Sequence, residues 1–418
     1  MNKRVSPHMR RGVIQIPSSK SDSQRAILAA ALCSGTSELH PIGNSADEMA
    51  MLNAIQQLGA QVHWKSDTKA LIQGITRFPT STHVNLHESG LGLRLITSVC
   101  AAHPGKHRID GAGSLTQRSM HFFEETLPAF GVRVQSNGGF IPLEIEGNMH
   151  GAELALDGSL SSQYLSGLLM ALPLLQTESR LTVHELKSIP YVQMTLNTLA
   201  QFGISIQHHQ FEQFVVAGNQ RYIATNYLIE GDWSAASFWL VAAALGQSIV
   251  VEGLSLQSLQ ADKSILTAFE KANCAVLYTE NGISIDGRNR IPFQFDATHC
   301  PDLFPALVTF AALCEGRSDI QGLKRLKHKE SDRGEALQTE FEKLGVQLVL
   351  DETTDTIHVY GKKTIEGATV GSHNDHRIAM CLAIAGMFAD AAVEIEGAEA
   401  VAKSYPRFWD DLQSLQTI

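Results

Sequence analysis

The stretch 177-TESRLTVHELKSIPYVQMTLNTLAQFGISIQ-207 contains the pattern that decides the fold. Its segment LTVHEL alternates apolar and polar residues, as a half-buried strand does. The segment TLNTLAQFGI places apolar residues at helical spacing and ends near Gly203, and glycine is the usual residue after a helix C-terminus. The stretch therefore predicts a strand, an amphipathic helix and a second strand.

The same pattern returns along the chain at intervals of about 70 residues. The other copies occupy residues 34–64, 104–135, 245–278, 315–350 and, in shortened form, 390–415. Between the copies lie very apolar segments, which we expect to form buried helices, at 23–33, 93–103, 162–175, 234–246, 301–316 and 376–388. Six matching units, each with a sheet and two helices, predict an α/β protein with internal symmetry.

The composition excludes several classes of protein. The 418 residues are 44% hydrophobic and 18% charged, which is typical of a folded chain of about two or three domains. The formal net charge of −10 argues against a nucleic-acid partner, because phosphate contacts favour a basic face. The best apolar run, FWLVAAALG from Phe238, is too short to cross a bilayer, and no signal peptide is visible.

The cysteines and histidines do not suggest cross-links or metal. Six cysteines are scattered without a C-x-x-C pair, which indicates reduced, mostly buried thiols in a cytoplasmic protein. The 17 histidines show no spacing typical of metal ligands. We therefore expect neither a metal site nor a membrane partner.

Polar and charged residues recur where the buried helices begin. They are Lys20, Arg25, Arg94, Ser161, Ser162, Asp232, Asp302, His376 and Arg377. If the helices of a domain point the same way, their N-termini gather these groups on one surface, and two such surfaces facing each other would form an anion-binding cleft. The alternative is structural, because the start of a buried helix needs a polar cap in any case.

Two further clusters combine carboxylates with cations. In KHKESDRGEAL, residues 327–337, Glu330 and Arg333 lie three residues apart and share a helix face. A carboxylate beside cations is a plausible group for proton transfer, although a solvated helix start is the simpler interpretation. In SHNDHRIAM, residues 372–380, Asp375 precedes His376 and Arg377, and the alternative is an ordinary N-cap.

These residues resemble the enolpyruvyl transferase family and, within it, the 5-enolpyruvylshikimate-3-phosphate synthases. The resemblance runs from SSKSDSQRA (18–26) to AKSYPRFW (402–409) and includes DGSLSSQYL, KHKESDR and NDHRIAM. It implies an α/β fold of two similar domains, each of three βαβαββ units in an inside-out barrel arrangement. One domain would comprise residues 1–18 and 232–418, with repeats four to six, and the other residues 19–231, with repeats one to three.

The resemblance also implies a reaction. The family joins phosphoenolpyruvate to the 5-hydroxyl of shikimate 3-phosphate and releases phosphate, without metal or organic cofactor. The active site would lie in the cleft between the domains, which closes on both substrates. We expect a cytoplasmic monomer whose partners are these two small molecules.

Site residues are carried over position by position. Implied contacts of shikimate 3-phosphate are Lys20, Ser21, Arg25, Ser161, Ser162, Gln163, Ser188, Tyr191, Asp302 and Lys329. Implied contacts of phosphoenolpyruvate are Lys20, Gly90, Arg118, Gln163, Arg333, His376, Arg377 and Lys403. Asp302, Glu330 and Lys20 are the implied catalytic residues, with the two carboxylates handling protons.

Three positions depart from the family pattern. Glu88 and Leu91 replace the asparagine and threonine of the usual N-A-G-T-A-x-R stretch, and Arg325 replaces an asparagine before KESDR. A carboxylate near the phosphate of phosphoenolpyruvate would be unfavourable unless it pairs with Arg94 or another cation. Arg325 would either add a phosphate contact or point away.

Two alternatives remain open from the sequence. A non-catalytic relative that binds anionic metabolites is suggested by Glu88 and Arg325, whereas retention of Asp302, Glu330 and Lys403 argues against it. The sister enzyme that acts on UDP-N-acetylglucosamine is disfavoured because GAGSLTQRSM, residues 111–120, contains no cysteine and Lys20 is followed by Ser21.

Overall fold

The structure is a computed structural model that describes residues 1–280, 282–327 and 329–417. Within these ranges the α-helices are α1 (Lys20–Ala31), α2 (Ala46–Gln57), α3 (Gly90–Ala101), α4 (His121–Thr126), α5 (Ser162–Ala171), α6 (Ile189–Gln201), α7 (Trp233–Ala244), α8 (Ile265–Lys271), α9 (Phe304–Ala312), α10 (Arg333–Lys343), α11 (His376–Gly386) and α12 (Phe408–Ser414).

The strands of the described residues follow in chain order. They are β1 (Asn2–Val5), β2 (Arg10–Gln15), β3 (Cys33–Ser34), β4 (Thr36–His40), β5 (Gln61–Ser66), β6 (Lys69–Gln73), β7 (Ser81–Asn85), β8 (Gly105–Asp110), β9 (Arg133–Asn137), β10 (Phe140–Gly147), β11 (Glu153–Asp157), β12 (Ser179–His184), β13 (Gln207–His209), β14 (Gln213–Val216), β15 (Tyr222–Ile223), β16 (Asn226–Leu228), β17 (Ser248–Glu252), β18 (Ala275–Tyr278), β19 (Ile283–Asp286), β20 (Gln294–Asp296), β21 (Gly316–Gln321), β22 (Gln347–Asp351), β23 (Thr356–Gly361), β24 (Thr369–Gly371), β25 (Val393–Glu396) and β26 (Gln416–Thr417).

The chain forms two compact units, Ser18–Ile229 and Met1–Pro17 with Glu230–Ile418. Every residue of the first unit is described, and its larger sheets share one topology. Their strand orders are β16-β4-β6-β5, β7-β8-β10-β9 and β11-β12-β14-β13. In each sheet the first pair is parallel and the following pairs are antiparallel. Equal sequence copies have therefore folded into equal sheets.

The described part of the second unit repeats this topology. Its sheets are β18-β19-β17-β2-β26, β20-β21-β23-β22 and β1-β25-β24, and each contains one parallel pair, β2-β17, β20-β21 or β24-β25. The sixth sheet is the shortened copy that the sequence predicts. Its antiparallel partner strand is β1, which comes from the beginning of the chain.

The apolar segments form the buried helices, as predicted. All residues of α3, α9 and α11 are buried, and α7 is buried at all positions but Ser234. Helices α7, α9 and α11 contact one another in their unit, and α3 contacts α1 and α5 in the other. The predicted helix stops are confirmed, because Gly59, Gly203 and Gly345 have φ values of 105°, 79° and 73°.

Prolines shorten two of the predicted buried helices. The segment 162–175 forms α5 only to Ala171 and continues as a 3₁₀ turn at Leu172–Leu174, because Pro173 has no N–H to continue the ladder. The segment 301–316 begins with the 3₁₀ turn Pro301–Leu303, and α9 starts only at Phe304, because Pro305 has no N–H for an α-helical hydrogen bond to the carbonyl of Pro301. This turn is where Asp302 lies.

The cysteines are all buried free thiols. Burial raises the pKa of Cys33 and Cys274 to about 11 and that of Cys300 to about 12, so these side chains stay protonated at neutral pH. Among the described residues, no helix is both long and apolar enough to span a membrane.

Candidate active site

The first helix of the unit Ser18–Ile229 begins with a buried ion pair. Ser19 caps α1 by accepting a hydrogen bond from the N–H of Asp22. The ammonium of Lys20 lies 2.9 Å from Asp47 Oδ2, and the two side chains are only 12% and 11% exposed. Asp47 stands in the first turn of α2, a position where an acidic residue is ordinary, so the sequence did not single it out.

Arg25 is held one turn further along α1. Its Nε donates to Thr195 Oγ1 at 2.8 Å, and its Nη atoms donate to the carbonyls of Ser21 at 2.7 Å and Tyr191 at 3.3 Å. Thr195 in turn donates to Ser166 Oγ at 2.9 Å. Burial lowers the pKa of Arg25 to about 10, so it remains a cation at neutral pH. The structure thus brings Ser21, Arg25 and Tyr191 together.

The start of α3 brings a glycine and two arginines together. Arg94 Nη1 donates to the carbonyl of Gly90 at 2.9 Å and to Gln163 Oε1 at 3.0 Å. A β-carbon on Gly90 would lie 2.8 Å from Arg118 Nη1 and 2.9 Å from Arg94 Nη1. A larger residue at position 90 would therefore displace the ends of these two arginine side chains from the helix N-terminus.

The predicted serines also lie at helix starts. Ser161 caps α5 and accepts from the N–H of Gln163, while Ser162 is the first residue of that helix. Ser188 precedes α6, is 4% exposed and has a φ of 55°. A left-handed conformation is uncommon for serine and turns the chain sharply into the helix at this point.

Glu88 is bound within its own unit. Its carboxylate accepts hydrogen bonds from the N–H and Oγ of Ser114, at 3.2 and 3.3 Å. Leu91, the second departure, is 7% exposed and packs in the apolar core. The 3₁₀ turn Gly113–Gln117, which contains Ser114, therefore accommodates the carboxylate that the family pattern lacks.

In the other unit, Asp302 binds three cations. Its Oδ1 lies 3.1 Å from Lys329 Nζ and 2.7 Å from Arg333 Nη1, and its Oδ2 lies 3.1 Å from Arg377 Nη2. Burial alone would raise the pKa of Asp302, but Arg377, Lys329 and Arg333 outweigh it and hold that pKa well below the usual range. Asp302 is therefore ionised at neutral pH.

Arg333 links three carboxylates and is itself 0% exposed. Besides Asp302, it donates to Glu330 Oε2 at 2.6 Å and to Asp375 Oδ2 at 2.8 Å. Asp375 also caps α11 by accepting from the N–H of Arg377 at 2.9 Å. The N-cap interpretation of Asp375 is correct, and the residue is also part of the charge network.

The remaining predicted residues surround the N-terminus of α11. His376 Nε2 and Arg377 Nη1 are 2.8 Å apart, and Lys403 Nζ donates to the carbonyl of Asn374 at 2.6 Å. Burial lowers the pKa of Arg325 and the carboxylate of Asp302 opposes that shift, so Arg325 lies within electrostatic range of the network.

Chemically, the two sets differ. The set at α1, α3, α5 and α6 combines cations, hydroxyls and helix N-termini, which suit a phosphorylated ligand. The set of Asp302, Lys329, Glu330, Arg333 and Arg377 places two carboxylates among cations, which suits proton transfer next to an anion. Among the described residues, no group of histidine, cysteine, aspartate or glutamate side chains is arranged to hold a metal ion.

Comparison with known proteins gives matches over nearly the whole chain. The family model described as EPSP synthase (3-phosphoshikimate 1-carboxyvinyltransferase) matches residues 6–412. The 3-phosphoshikimate 1-carboxyvinyltransferase of Clostridium botulinum strain Eklund 17B is 36% identical, and the alignment covers 99% of this chain and 96% of that relative. The protein of the same name from Clostridium perfringens strain SM101 is 36% identical, with 99% and 98% covered.

A solved structure of EPSP synthase from Acinetobacter baumannii has the same fold. Its TM-score is 0.81 at 23% sequence identity, covering 100% of this chain and 99% of that one. The predicted α/β fold class is therefore confirmed. At this identity, the likeness is evidence for the fold alone.

Proposed function

Because the chain belongs to the EPSP synthase family, we propose that it transfers the enolpyruvyl group of phosphoenolpyruvate to the 5-hydroxyl of shikimate 3-phosphate and releases phosphate. The protein is a transferase of the shikimate pathway, which leads to aromatic amino acids. The observation that carries the mechanism is the ionised Asp302 held among Lys329, Arg333 and Arg377.

Shikimate 3-phosphate needs cations for its phosphate and hydrogen-bonding groups for its hydroxyls. We assign these contacts to the residues at the starts of α1, α5 and α6, namely Lys20, Ser21, Arg25, Ser161, Ser162, Gln163, Ser188 and Tyr191, together with Asp302 and Lys329. The support is their grouping at helix N-termini, where backbone N–H groups and the helix dipole add to the side-chain charges.

Phosphoenolpyruvate carries a carboxylate and a phosphate, and both need guanidinium or ammonium partners. We assign it to Lys20, Gly90, Arg118, Gln163, Arg333, His376, Arg377 and Lys403. The close approach of Arg118 to Gly90 and the convergence of Arg333 and Arg377 on Asp302 support this assignment. The cations offset the repulsion between two polyanionic substrates and orient them.

Proton transfer follows from the carboxylates. Glu330 first takes up a proton from solvent and then donates it to the methylene C3 of phosphoenolpyruvate, so that C2 becomes electron-poor. The 5-hydroxyl oxygen attacks C2 while Asp302, which is ionised, accepts the hydroxyl proton. In the tetrahedral adduct, C3 returns a proton to Glu330, the C=C bond re-forms, and the C2–O bond to phosphate breaks with its electron pair leaving on phosphate. The proton held by Asp302 leaves with the phosphate.

The test is phosphate release from the purified protein with phosphoenolpyruvate, in the presence and absence of shikimate 3-phosphate. We expect release only with both substrates, and loss of release in Asp302→Ala. Calorimetric binding of shikimate 3-phosphate without any turnover would instead support the non-catalytic relative. That alternative was suggested by Glu88 and Arg325. Because the Glu88 carboxylate accepts hydrogen bonds from Ser114, Glu88 no longer supports it.

We also propose that the chain is a cytoplasmic monomer with domains 1–18 plus 232–418 and 19–231. Six buried free thiols, which are typical of a reducing compartment, support the location. The compact units Ser18–Ile229 and Met1–Pro17 with Glu230–Ile418 support the domain division. Sedimentation equilibrium tests the oligomeric state, and limited proteolysis near residues 18 and 232 tests the boundaries.

A further inference from the structure

A buried carboxyl beside the Asp302 network has no part in the mechanism above. Asp262 lies in the 3₁₀ turn Ala261–Ser264 and is 1% exposed. Ser234, in the first turn of α7, donates a hydrogen bond to its Oδ2. Asp302 and Arg377 lie within electrostatic range of it. The turn that holds Asp262, the turn that holds Asp302 and the helix α11, which contains Arg377, all pack against α7. Asp262 is therefore close to the network in the fold as well as coupled to it by charge.

The groups that face Asp262 come from several elements. They are Ser234 and Asp232 at the start of α7, Asp302 and the thiol of Cys300 before α9, and Arg377 at the start of α11. Burial, and then the carboxylate of Asp302, raise the pKa of Asp262 to about 7, against the opposing effects of Arg377 and the Ser234 hydrogen bond. Asp262 thus changes its charge near neutral pH.

The charge of Asp262 acts on Arg377. When Asp262 is ionised, it attracts the guanidinium of Arg377 and competes with any other anion for it. When Asp262 is protonated, this competition ends and more of the Arg377 charge is available to a ligand. An anion bound at Arg377 has the reciprocal effect, because it disfavours a second negative charge nearby.

We propose that Asp262 is a positioning residue that takes up a proton from solvent when phosphoenolpyruvate binds at Arg377. This inference rests on the proposed function, since it takes Arg377 as part of the phosphoenolpyruvate site. The proton bonds to a carboxylate oxygen of Asp262, and no bond of either substrate changes in this step. Phosphoenolpyruvate affinity is thereby coupled to a group that touches no reacting atom.

The experiment measures KM for phosphoenolpyruvate between pH 6 and 8, at saturating shikimate 3-phosphate, in the wild type and in Asp262→Asn. Asparagine has the same shape and can still accept from Ser234, but it does not ionise. For a rise of about one unit in the Asp262 pKa on binding, the ratio of wild-type to variant KM increases about fivefold over this range. Titration of the substrate phosphate affects both proteins alike and cancels in the ratio.

A matched control is Asp411→Asn. Asp411 is also a carboxyl whose pKa is raised by burial, and it accepts from Tyr405 Oη at 2.6 Å, but its charged neighbours are Arg407 and Asp410. Its KM profile should run parallel to that of the wild type. A parallel profile for Asp262→Asn as well would overturn the inference.

Ser234→Ala provides a second test that does not alter Asp262. Loss of the hydroxyl removes a hydrogen bond that stabilises the ionised carboxylate, so the pH at which KM begins to rise should move upward. An unmoved inflection contradicts the inference. If the wild type turns over both substrates while the profiles stay parallel, only this inference fails. If the wild type shows no turnover at any pH, the proposed function fails, and this inference fails with it.

Discussion

The two units use their cations differently. In Ser18–Ile229, Arg25 and Arg94 donate their hydrogen bonds to carbonyls, a hydroxyl and an amide rather than to carboxylates. The exception in this unit is Lys20, which forms an ion pair with Asp47. In the other unit, Arg333, Arg377 and Lys329 all converge on carboxylates. A cation held by neutral groups is suited to attracting an anion, whereas a cation held by a carboxylate controls when that carboxylate carries a proton. The cations of Ser18–Ile229 are therefore suited to binding anions, and those of the other unit to controlling proton transfer.

The largest effect is expected when the central carboxylate of the second unit, Asp302, is replaced. Asp302→Asn removes the base while keeping the size of the side chain, and kcat should fall about 10³-fold. Steady-state phosphate release measures it, and circular dichroism shows whether the variant is folded. A folded Asp302→Asn with unchanged kcat would contradict the assignment of Asp302 as the base.

On the binding side, Arg25→Gln should act on substrate affinity. Loss of charge-assisted hydrogen bonds costs about 2 kcal/mol, so KM for shikimate 3-phosphate should rise about 30-fold with a smaller change in kcat. Thr195→Val, which removes the acceptor of Arg25 Nε, should raise the same KM about fivefold. A normal KM in both variants would show that Arg25 has a purely structural role.

Acid should destabilise the carboxylate-rich unit specifically. The pKa of Asp302 is lower in the folded state than in the unfolded chain, so its contribution to stability is present above about pH 4 and is lost as the pH falls below it. Between pH 5 and 3, the free energy of unfolding of the wild type should fall by about 1 kcal/mol more than that of Asp302→Asn.

Tryptophan fluorescence can follow this unit alone. Trp233, Trp239 and Trp409 belong to it, whereas Trp64 belongs to the other unit. In Trp64→Phe, all tryptophan fluorescence therefore comes from the carboxylate-rich unit. Urea titrations on this background give the two free energies at each pH. If the free energy of unfolding falls equally steeply with decreasing pH in the wild type and in Asp302→Asn, Asp302 is not the cause of the acid destabilisation.

The smallest effect is expected at Glu88. Since Ser114 already binds its carboxylate and can also donate to an amide, Glu88→Gln should change KM for phosphoenolpyruvate by less than about threefold. A tenfold decrease in KM would mean that the Glu88 carboxylate repels the substrate. Glu88 would then be a second carboxylate, after Asp47 at Lys20, that opposes anion binding in the unit Ser18–Ile229.

The fold was predictable because its signals are local and repeated. Alternation and helical spacing recur along the copies, and a glycine ends the helix in four of them (Gly59, Gly131, Gly203 and Gly345), so each copy supports the interpretation of the others. The prolines at 173 and 305 are equally local, and their effect on helix length could have been anticipated.

The site was predictable only in part. Lys20, Ser161, Asp302 and His376 lie at the starts of helical segments, and the sequence indicates where those segments begin. The partners that fix their side chains come from distant segments. Asp47, Thr195 and Asp262 have no local signal, because an acidic first turn or a threonine in a helix is ordinary in any protein. Only tertiary packing shows which charges they contact.

The pairing of β1 with β25 has a consequence for synthesis. Met1 and Glu399 form an ion pair although 398 residues separate them, and translation at about 5–20 residues per second spends roughly 20–80 s on that interval. During that time β1 exists without its partner β25, and β2 exists without β17 until residues 248–252 have been synthesised. Unpaired strand edges favour aggregation. Lys3, Arg4, Arg10 and Arg11 lie on these two strands, and we expect their like charges to oppose pairing between the exposed edges of nascent chains.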